Sequence, residues 1–284
     1  MNTSNTYKFK KNESFYIRDG WFEKALNTIE NSSENVFSKS NGSRLLGIGT
    51  NMAKSLKYWL QASNVITSSA TKTELSDFGK IIFEHDRYFE SDFTWYLIHY
   101  NFCTNKYDCP IFYHFFNSNI KKMKKNDIIN YLDNKFKEEG SIVKEDYIDD
   151  DLSVFLKSYI NEEIITNPED NYICPLSNLK LLKRIGGSIE KEKPSYNKLS
   201  PYLIYYCIST LYKFKPFKIE DSISEEKSPC FIFNLDKNTY LQYLDELQRN
   251  GLLIINKTAG LNTVYFEKKI NLSQLFEMNF GGKK

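Results

Sequence analysis

Apolar residues recur along this chain mostly at helical spacing, with a few short alternating runs between. Trp21, Phe22, Ala25, Leu26 and Ile29 predict a helix that starts at Asp19 or Gly20 and ends in Ser32–Asn35, after an extended lead-in or short strand at Phe15–Ile17. Lys39–Leu46 reads as a second helix, with Gly47 and Gly49 making a turn. Asn51–Ala62 reads as a third. At about 100° per residue, Met52, Leu56, Trp59, Leu60 and Ser63 fall on one side of it, and Asn51, Lys54, Lys57, Tyr58 and Gln61 on the other. Thr50 is expected to cap this helix, because its hydroxyl can accept from an amide of the first turn. Val65-Ile66 and Lys72–Leu75 flank a polar turn as two short strands, and Ser76 caps a helix at Asp77–Glu84.

Further on, Asp86–Asn117 is expected to be a helical hairpin whose first helix is apolar on nearly all sides. Helices at Asp127–Glu138 and Asp151–Ile160 follow. Asn167–Asp170 reads as a turn, and Gly186-Gly187 as a flexible joint. In the last third, an aromatic helix at Pro201–Tyr212, a helix at Asn238–Asn250 and strands at Leu252–Asn256 and Thr263–Lys268 around a Thr-Ala-Gly-Leu-Asn turn make a second helix-and-hairpin unit. The fold class expected is mainly α with small β-wings. Its parts are a basic arm (1–14), a winged helix-turn-helix domain (15–84), a helical domain (85–187), a linker (188–198) and a second winged-helix-like domain (199–284).

Composition sharpens this picture in one place. The formal net charge is only +2, so a surface for a polyanion must come from local segregation of charge. Such segregation exists: between Glu34 and Glu74 there is no acid, while Lys39, Arg44, Lys54, Lys57 and Lys72 are present. A helix offering lysines together with Asn51, Tyr58 and Gln61 has what a recognition helix needs, cations for phosphates and hydrogen-bonding groups for base edges. The candidate DNA-binding residues are therefore Lys39, Arg44, Thr50, Asn51, Lys54, Lys57, Tyr58, Gln61 and Lys72. The same turn also serves as packing in plain three-helix cores. The basic arm (Lys8, Lys10, Lys11) and the Lys121–Lys125 cluster are lesser candidates for backbone contact. The corresponding helix of the last third exposes Gln242, Asp245, Glu246 and Arg249, a mixed face better suited to protein than to phosphate.

Catalytic signatures are missing from the sequence. Gly47-Ile48-Gly49 lacks the preceding strand and fuller glycine pattern of a nucleotide loop, and neither a Gly-x-Ser-x-Gly elbow nor a His-Glu-x-x-His helix occurs. His85, His99 and His114 match no ligand spacing. The five cysteines are scattered and none is paired at the two-residue spacing of a zinc or redox site. No cofactor or metal is expected. With no apolar run of membrane-span length and no signal peptide at Met1–Ser14, a cytoplasmic location without membrane contact is expected.

The strings FYIRDGWFEKAL (Phe15–Leu26), LLGIGTNMAKSLKYWLQAS (Leu45–Ser63), LSDFGKIIFEHDRYFESDFTWYLIHYNF (Leu75–Phe102), FFN (Phe115–Asn117) and CPLSNLKLL (Cys174–Leu182) resemble, in order, the motifs of the bacterial domain-of-unknown-function family number four thousand and seven. The resemblance implies a setting, near DNA phosphorothioation and restriction genes in phage-defence islands, and supplies no catalytic residues. The expected function is therefore non-catalytic binding of double-stranded DNA within a modification or anti-phage system. The alternatives are a protein-binding subunit of a modification or restriction complex, and a metal-dependent nuclease.

Overall fold

The computed structural model describes residues 6–38, 41–69, 71–161, 173–258 and 261–281. It divides into two compact units, Met1–Phe115 with Ile120–Lys191, and Phe116–Asn119 with Glu192–Lys284. The expected features at Met1–Asn5, Lys39-Ser40, Asn167–Asp170 and Ala259-Gly260 lie outside the described residues.

The first unit begins with α1 (Trp21–Asn31), α2 (Asn41–Leu46) and α3 (Thr50–Ala62), then strands β1 (Ile66–Ser68) and β2 (Thr73–Leu75), then α4 (Asp77–His85). Small residues let α2 lie close on α3: a Cβ added at Gly42 would stand 3.1 Å from the Cβ of Ala53. Gly47 takes the left-handed φ of 61° that turns the chain after α2. Gly49, not Thr50, then caps α3. Thr50 is its first helical residue and forms no cap hydrogen bond, its hydroxyl lying 3.1 Å from that of Ser43. The lead-in at Phe15–Ile17 is extended without strand pairing. The Phe15 carbonyl accepts from the Trp59 indole at 3.0 Å and from the Ser55 hydroxyl at 3.3 Å, which pins the segment against α3.

β1 and β2 pair antiparallel, with Ile66 opposite Leu75. Ser76 caps α4 as expected, accepting from the Gly79 amide at 2.9 Å. Gly79 itself allows no side chain, since a Cβ there would sit 2.0 Å from the Val65 carbonyl oxygen. The hairpin after α3 is thus locked to α4 by backbone contact.

The remainder of this unit is α5 (Asp92–Thr104), α6 (Pro110–Phe116), β3 (Lys122–Lys124), α7 (Lys125–Glu138), α8 (Glu145–Tyr159), a 3-10 turn at Pro175–Leu179, and strands β4 (Leu182–Ile185) and β5 (Ser188–Lys191). Every residue of α5 from Phe93 to Tyr100 is buried, as its all-round apolar pattern predicts. An aromatic chain of Trp59, Phe102, Phe112 and Phe155, with ring centroids 4.9–5.4 Å apart, ties α3 to α5, α6 and α8. α8 starts six residues earlier than expected. The acidic run Asp149–Asp151 lies inside it instead of before it, because Ile148 and Leu152 both face the core.

The middle region is not purely helical. β3, β5 and β4 form an antiparallel sheet in that order, and Ser188–Lys191, the first residues of the expected linker, are its central strand. Gly186 and Gly187, read as a flexible joint, close the β4–β5 hairpin as a two-residue turn with φ of 55° and 78°. Positive φ at both positions is the geometry of a type I′ turn, which glycine adopts at no steric cost.

The second unit holds α9 (Pro201–Tyr212), β6 (Phe217–Lys218), α10 (Ile219–Ser224), α11 (Pro229–Ile232), α12 (Lys237–Arg249), β7 (Leu253–Thr258), β8 (Leu261–Phe266) and α13 (Leu272–Gly281). Its sheet runs β6-β8-β7. Asp236 caps α12 by accepting from the Thr239 amide at 2.9 Å, and Gly251 ends it at φ 68°. Tyr240, Tyr243, Leu244 and Leu247 form the buried side of α12. The order strand, helices, hairpin, with the first strand pairing the last, is the same as in β3–β5.

Candidate nucleic-acid interface

α3 buries Ala53, Ser55, Leu56, Trp59, Leu60 and Ala62, an arc wide enough to leave only a narrow stripe outside. Thr50, Asn51, Lys54 and Gln61 are exposed on that stripe and Lys57 is half-buried along it. Spacings of three and four residues align them on one helical face. The Asn51 side-chain oxygen accepts from the Lys54 ammonium at 3.1 Å, so the first turn presents an amide and a cation together.

Tyr58 does not belong to this surface. Its hydroxyl donates to the Asp108 carbonyl at 2.6 Å and lies 3.6 Å from the Cys109 sulfur. Burial pushes the phenol well above its ordinary pKa. A helical wheel cannot anticipate this, because the partner is 50 residues away in sequence. Lys39 lies outside the described residues.

The acid-free stretch is less isolated in space than in sequence. Arg44 pairs with Glu34 at 2.6 Å and also donates to Asn41 at 3.1 Å. Lys54 stands 4.0 Å from Glu13, and Lys72 pairs with Glu74, whose carboxyl it holds below the usual range. Exposed pairs of this kind are worth about 0–1 kcal/mol each. A polyanion can therefore replace these carboxylates at small cost.

The N-terminal segment is docked. The Lys8 amide donates to the Tyr107 carbonyl at 2.8 Å, and the Lys8 side chain pairs with Asp108. Lys10 pairs with Asp150 at 2.7 Å, while its backbone amide and the Asn12 amide group converge on the carboxylate of Asp151. Asp151 is buried, which raises its carboxyl from the ordinary 3.8 to about 6 against the pull of those hydrogen bonds. The same anchorage carries Glu13 to Lys54.

His99 and His114 lie in packed aromatic surroundings. His99 is fully buried with its Nδ1 2.6 Å from the Tyr159 hydroxyl, and His114 is buried in edge contact with Phe136, its Nε2 3.9 Å from Glu139. Among the described residues no three His, Cys, Asp or Glu side chains gather as a metal site requires. All five cysteines are buried free thiols, and burial pushes that of Cys174 up to about 12. No helix among the described residues is long and apolar enough to cross a membrane.

On α12, Gln242, Asp245, Gln248 and Arg249 are exposed, and the half-buried Glu246 accepts from the Tyr196 hydroxyl. Its cap, Asp236, is paired with Lys193 at 2.6 Å and held well below the usual carboxylate range. This helix carries its own acids on its exposed face.

These features define a mainly helical protein with small antiparallel sheets and one narrow basic stripe on a helix that leads into a hairpin. The chain belongs to the family described as "Protein of unknown function (DUF4007)", whose profile matches residues 9–279. Its fold is that of two solved structures. One, titled "Magnesium ion-bound SspB crystal structure", superposes with a TM-score of 0.84 at 18% identity, covering 96% of this chain and 88% of that one. The other, "SspB crystal structure", gives 0.80 at 19%, covering 96% and 86%. No curated protein sequence matches the chain.

Proposed function

We propose that this protein binds double-stranded DNA, without catalysing a reaction on it, as a cytoplasmic component of a bacterial DNA-modification or anti-phage defence system. α2, α3 and the β1–β2 hairpin are read as a winged helix-turn-helix with α3 as the recognition helix. The observation that carries the reading is the outward stripe of exposed Thr50, Asn51, Lys54 and Gln61 with half-buried Lys57, which contains no acid. Lys54, Lys57 and Arg44 would neutralise phosphates, and Asn51 and Gln61 would approach base edges. Lys72 at the hairpin would touch backbone. The second unit, with its β7–β8 hairpin after α12 and β6 paired to β8, is read as a winged helix turned to protein partners of a modification or restriction complex.

Fluorescence anisotropy of the full chain with random and phosphorothioated duplexes across a salt series tests this. Four backbone contacts, from Arg44, Lys54, Lys57 and Lys72, predict a log–log salt slope of about −3.6, at roughly −0.9 per contact. Salt-insensitive or absent binding at low salt would remove the reading and favour the assembly-subunit role.

One observation favours a second reading. A structure of the same fold was solved with magnesium bound, as a metal-dependent nuclease would require. Incubation with supercoiled plasmid decides between the two: magnesium-dependent nicking that EDTA abolishes would replace the non-catalytic reading, and intact plasmid would uphold it.

A further inference from the structure

The first unit holds a cavity of about 260 Å³ away from any group assigned above, lined by Asp19, Gly20, Phe22, Glu23, Tyr88, Phe89, Glu90 and Trp95. Its floor is aromatic. The rings of Phe22, Phe89 and Trp95 are buried and lie 5.5–5.6 Å from one another. Its rim is acidic: Asp19 and Glu90 are exposed, Glu23 is half-buried, and none of the three makes an ion pair among the described residues. Tyr88 belongs to the lining as well and is 58% exposed.

The walls are set before any ligand arrives. Asp86 gathers the loop that follows α4, its carboxylate accepting from the Glu90 amide at 3.0 Å, the Ser91 amide at 3.2 Å and the Thr94 hydroxyl at 2.5 Å. The Phe89 carbonyl accepts from the Trp95 indole at 2.9 Å, which fixes the ring that closes the floor. Phe89 is held at φ 55°, a conformation that a bulky residue adopts only under the constraint of its surroundings. The opposite wall turns at Gly20, φ 72°, where an added Cβ would meet nothing within 4 Å.

We propose that this cavity receives the guanidinium of an arginine side chain from a partner polypeptide. Aromatic faces attract organic cations, and unpaired carboxylates around them supply directed hydrogen bonds to a planar fork of N–H donors. A divalent metal needs a shell of oxygen ligands that aromatic walls do not provide. The volume suits a single side chain, below the roughly 300–1,000 Å³ of pockets for whole small ligands, and arginine is a common anchor at protein interfaces. The site is separate from the α3 stripe and stands whether or not that stripe binds DNA. It opposes DNA by its charge.

The test is a titration of isotope-labelled full chain, followed by NMR, with the peptide acetyl-Gly-Arg-Gly-amide. The expected result is saturable shifts of the Trp95 indole N–H and of the Gly20 and Glu90 amides. The peptide with citrulline, a neutral isostere, in place of arginine should bind about tenfold more weakly, as should the arginine peptide to the Glu23→Gln, Glu90→Gln variant. That variant keeps side-chain shape at the rim, and unchanged amide shifts elsewhere show that it is folded. Equal binding of the two peptides, shifts outside the cavity, or the same shifts with magnesium chloride but none with the arginine peptide would each overturn the proposal.

Discussion

α3 and α12 are each 13 residues long and each runs into an antiparallel hairpin, yet their exposed faces differ in where the negative charge comes from. α3 has no acid of its own, and its counter-charge is brought by another segment, Glu13 to Lys54, just as Glu34 is brought to Arg44 on the neighbouring α2. α12 carries Asp245 and Glu246 within its own sequence. Borrowed counter-charges can be exchanged for phosphate by a small movement of a side chain, whereas built-in ones stay beside the ligand and repel it. Similar local architecture therefore supports opposite electrostatic roles.

The junctions between helix and hairpin sharpen the comparison first. Gly79→Ala would drive a Cβ into the Val65 carbonyl behind the α3 hairpin, and we expect a loss of about 3 kcal/mol or more in chemical denaturation. Gly251→Ala at the α12 hairpin meets open space, so only the left-handed backbone opposes it, at about 1–2 kcal/mol. Equal losses at the two sites would break the contrast.

Asp151 tests how the borrowed charge is held. Its carboxyl titrates near 6 when folded and near 3.8 when unfolded, so the folded state binds the extra proton in between. The stability that this proton contributes is fully present below about pH 3.8 and is lost as pH rises through about 6. Two units correspond to about 3 kcal/mol. Asp151→Asn should remove that part of the pH dependence, read from denaturation midpoints between pH 4 and 7. An unchanged profile would place the titration elsewhere. The smallest expected effect is Glu34→Gln, which frees Arg44 and should raise DNA affinity about threefold in anisotropy. A decrease would mean that the pair positions Arg44 instead of masking it.

Much of this was legible in the residues. Periodicity located α1, α3, α9 and α12 to within about two residues, and Ser76 starts α4 and Gly251 ends α12 as their chemistry dictates. The central place of α5 follows from its lack of a polar side. The parts that were not legible depend on distant partners. Tyr58 turns inward to the Asp108 carbonyl in the turn between α5 and α6, and Glu13 and Glu34 return charge to a stretch that looks acid-free in sequence. The β3-β5-β4 sheet is an intermediate case. Its Gly186-Gly187 turn is a hairpin signal by composition, but the strands Lys122–Lys124 and Ser188–Lys191 are charged and only three and four residues long, too short for alternation to mark them as strands. The aromatic cavity left no sequence signal, since its walls come from segments some 70 residues apart and only the fold joins them.

The central claim is that α3, and not α12, faces DNA. Anisotropy with one random duplex across a salt series, on Lys54→Glu, Lys57→Glu beside Arg249→Glu, tests it most directly. The account predicts that the α3 pair weakens binding about a hundredfold and flattens the salt slope by about 1.8, while the α12 variant matches the parent chain. Parent-like binding by the α3 pair, or a collapse confined to Arg249→Glu, would contradict it.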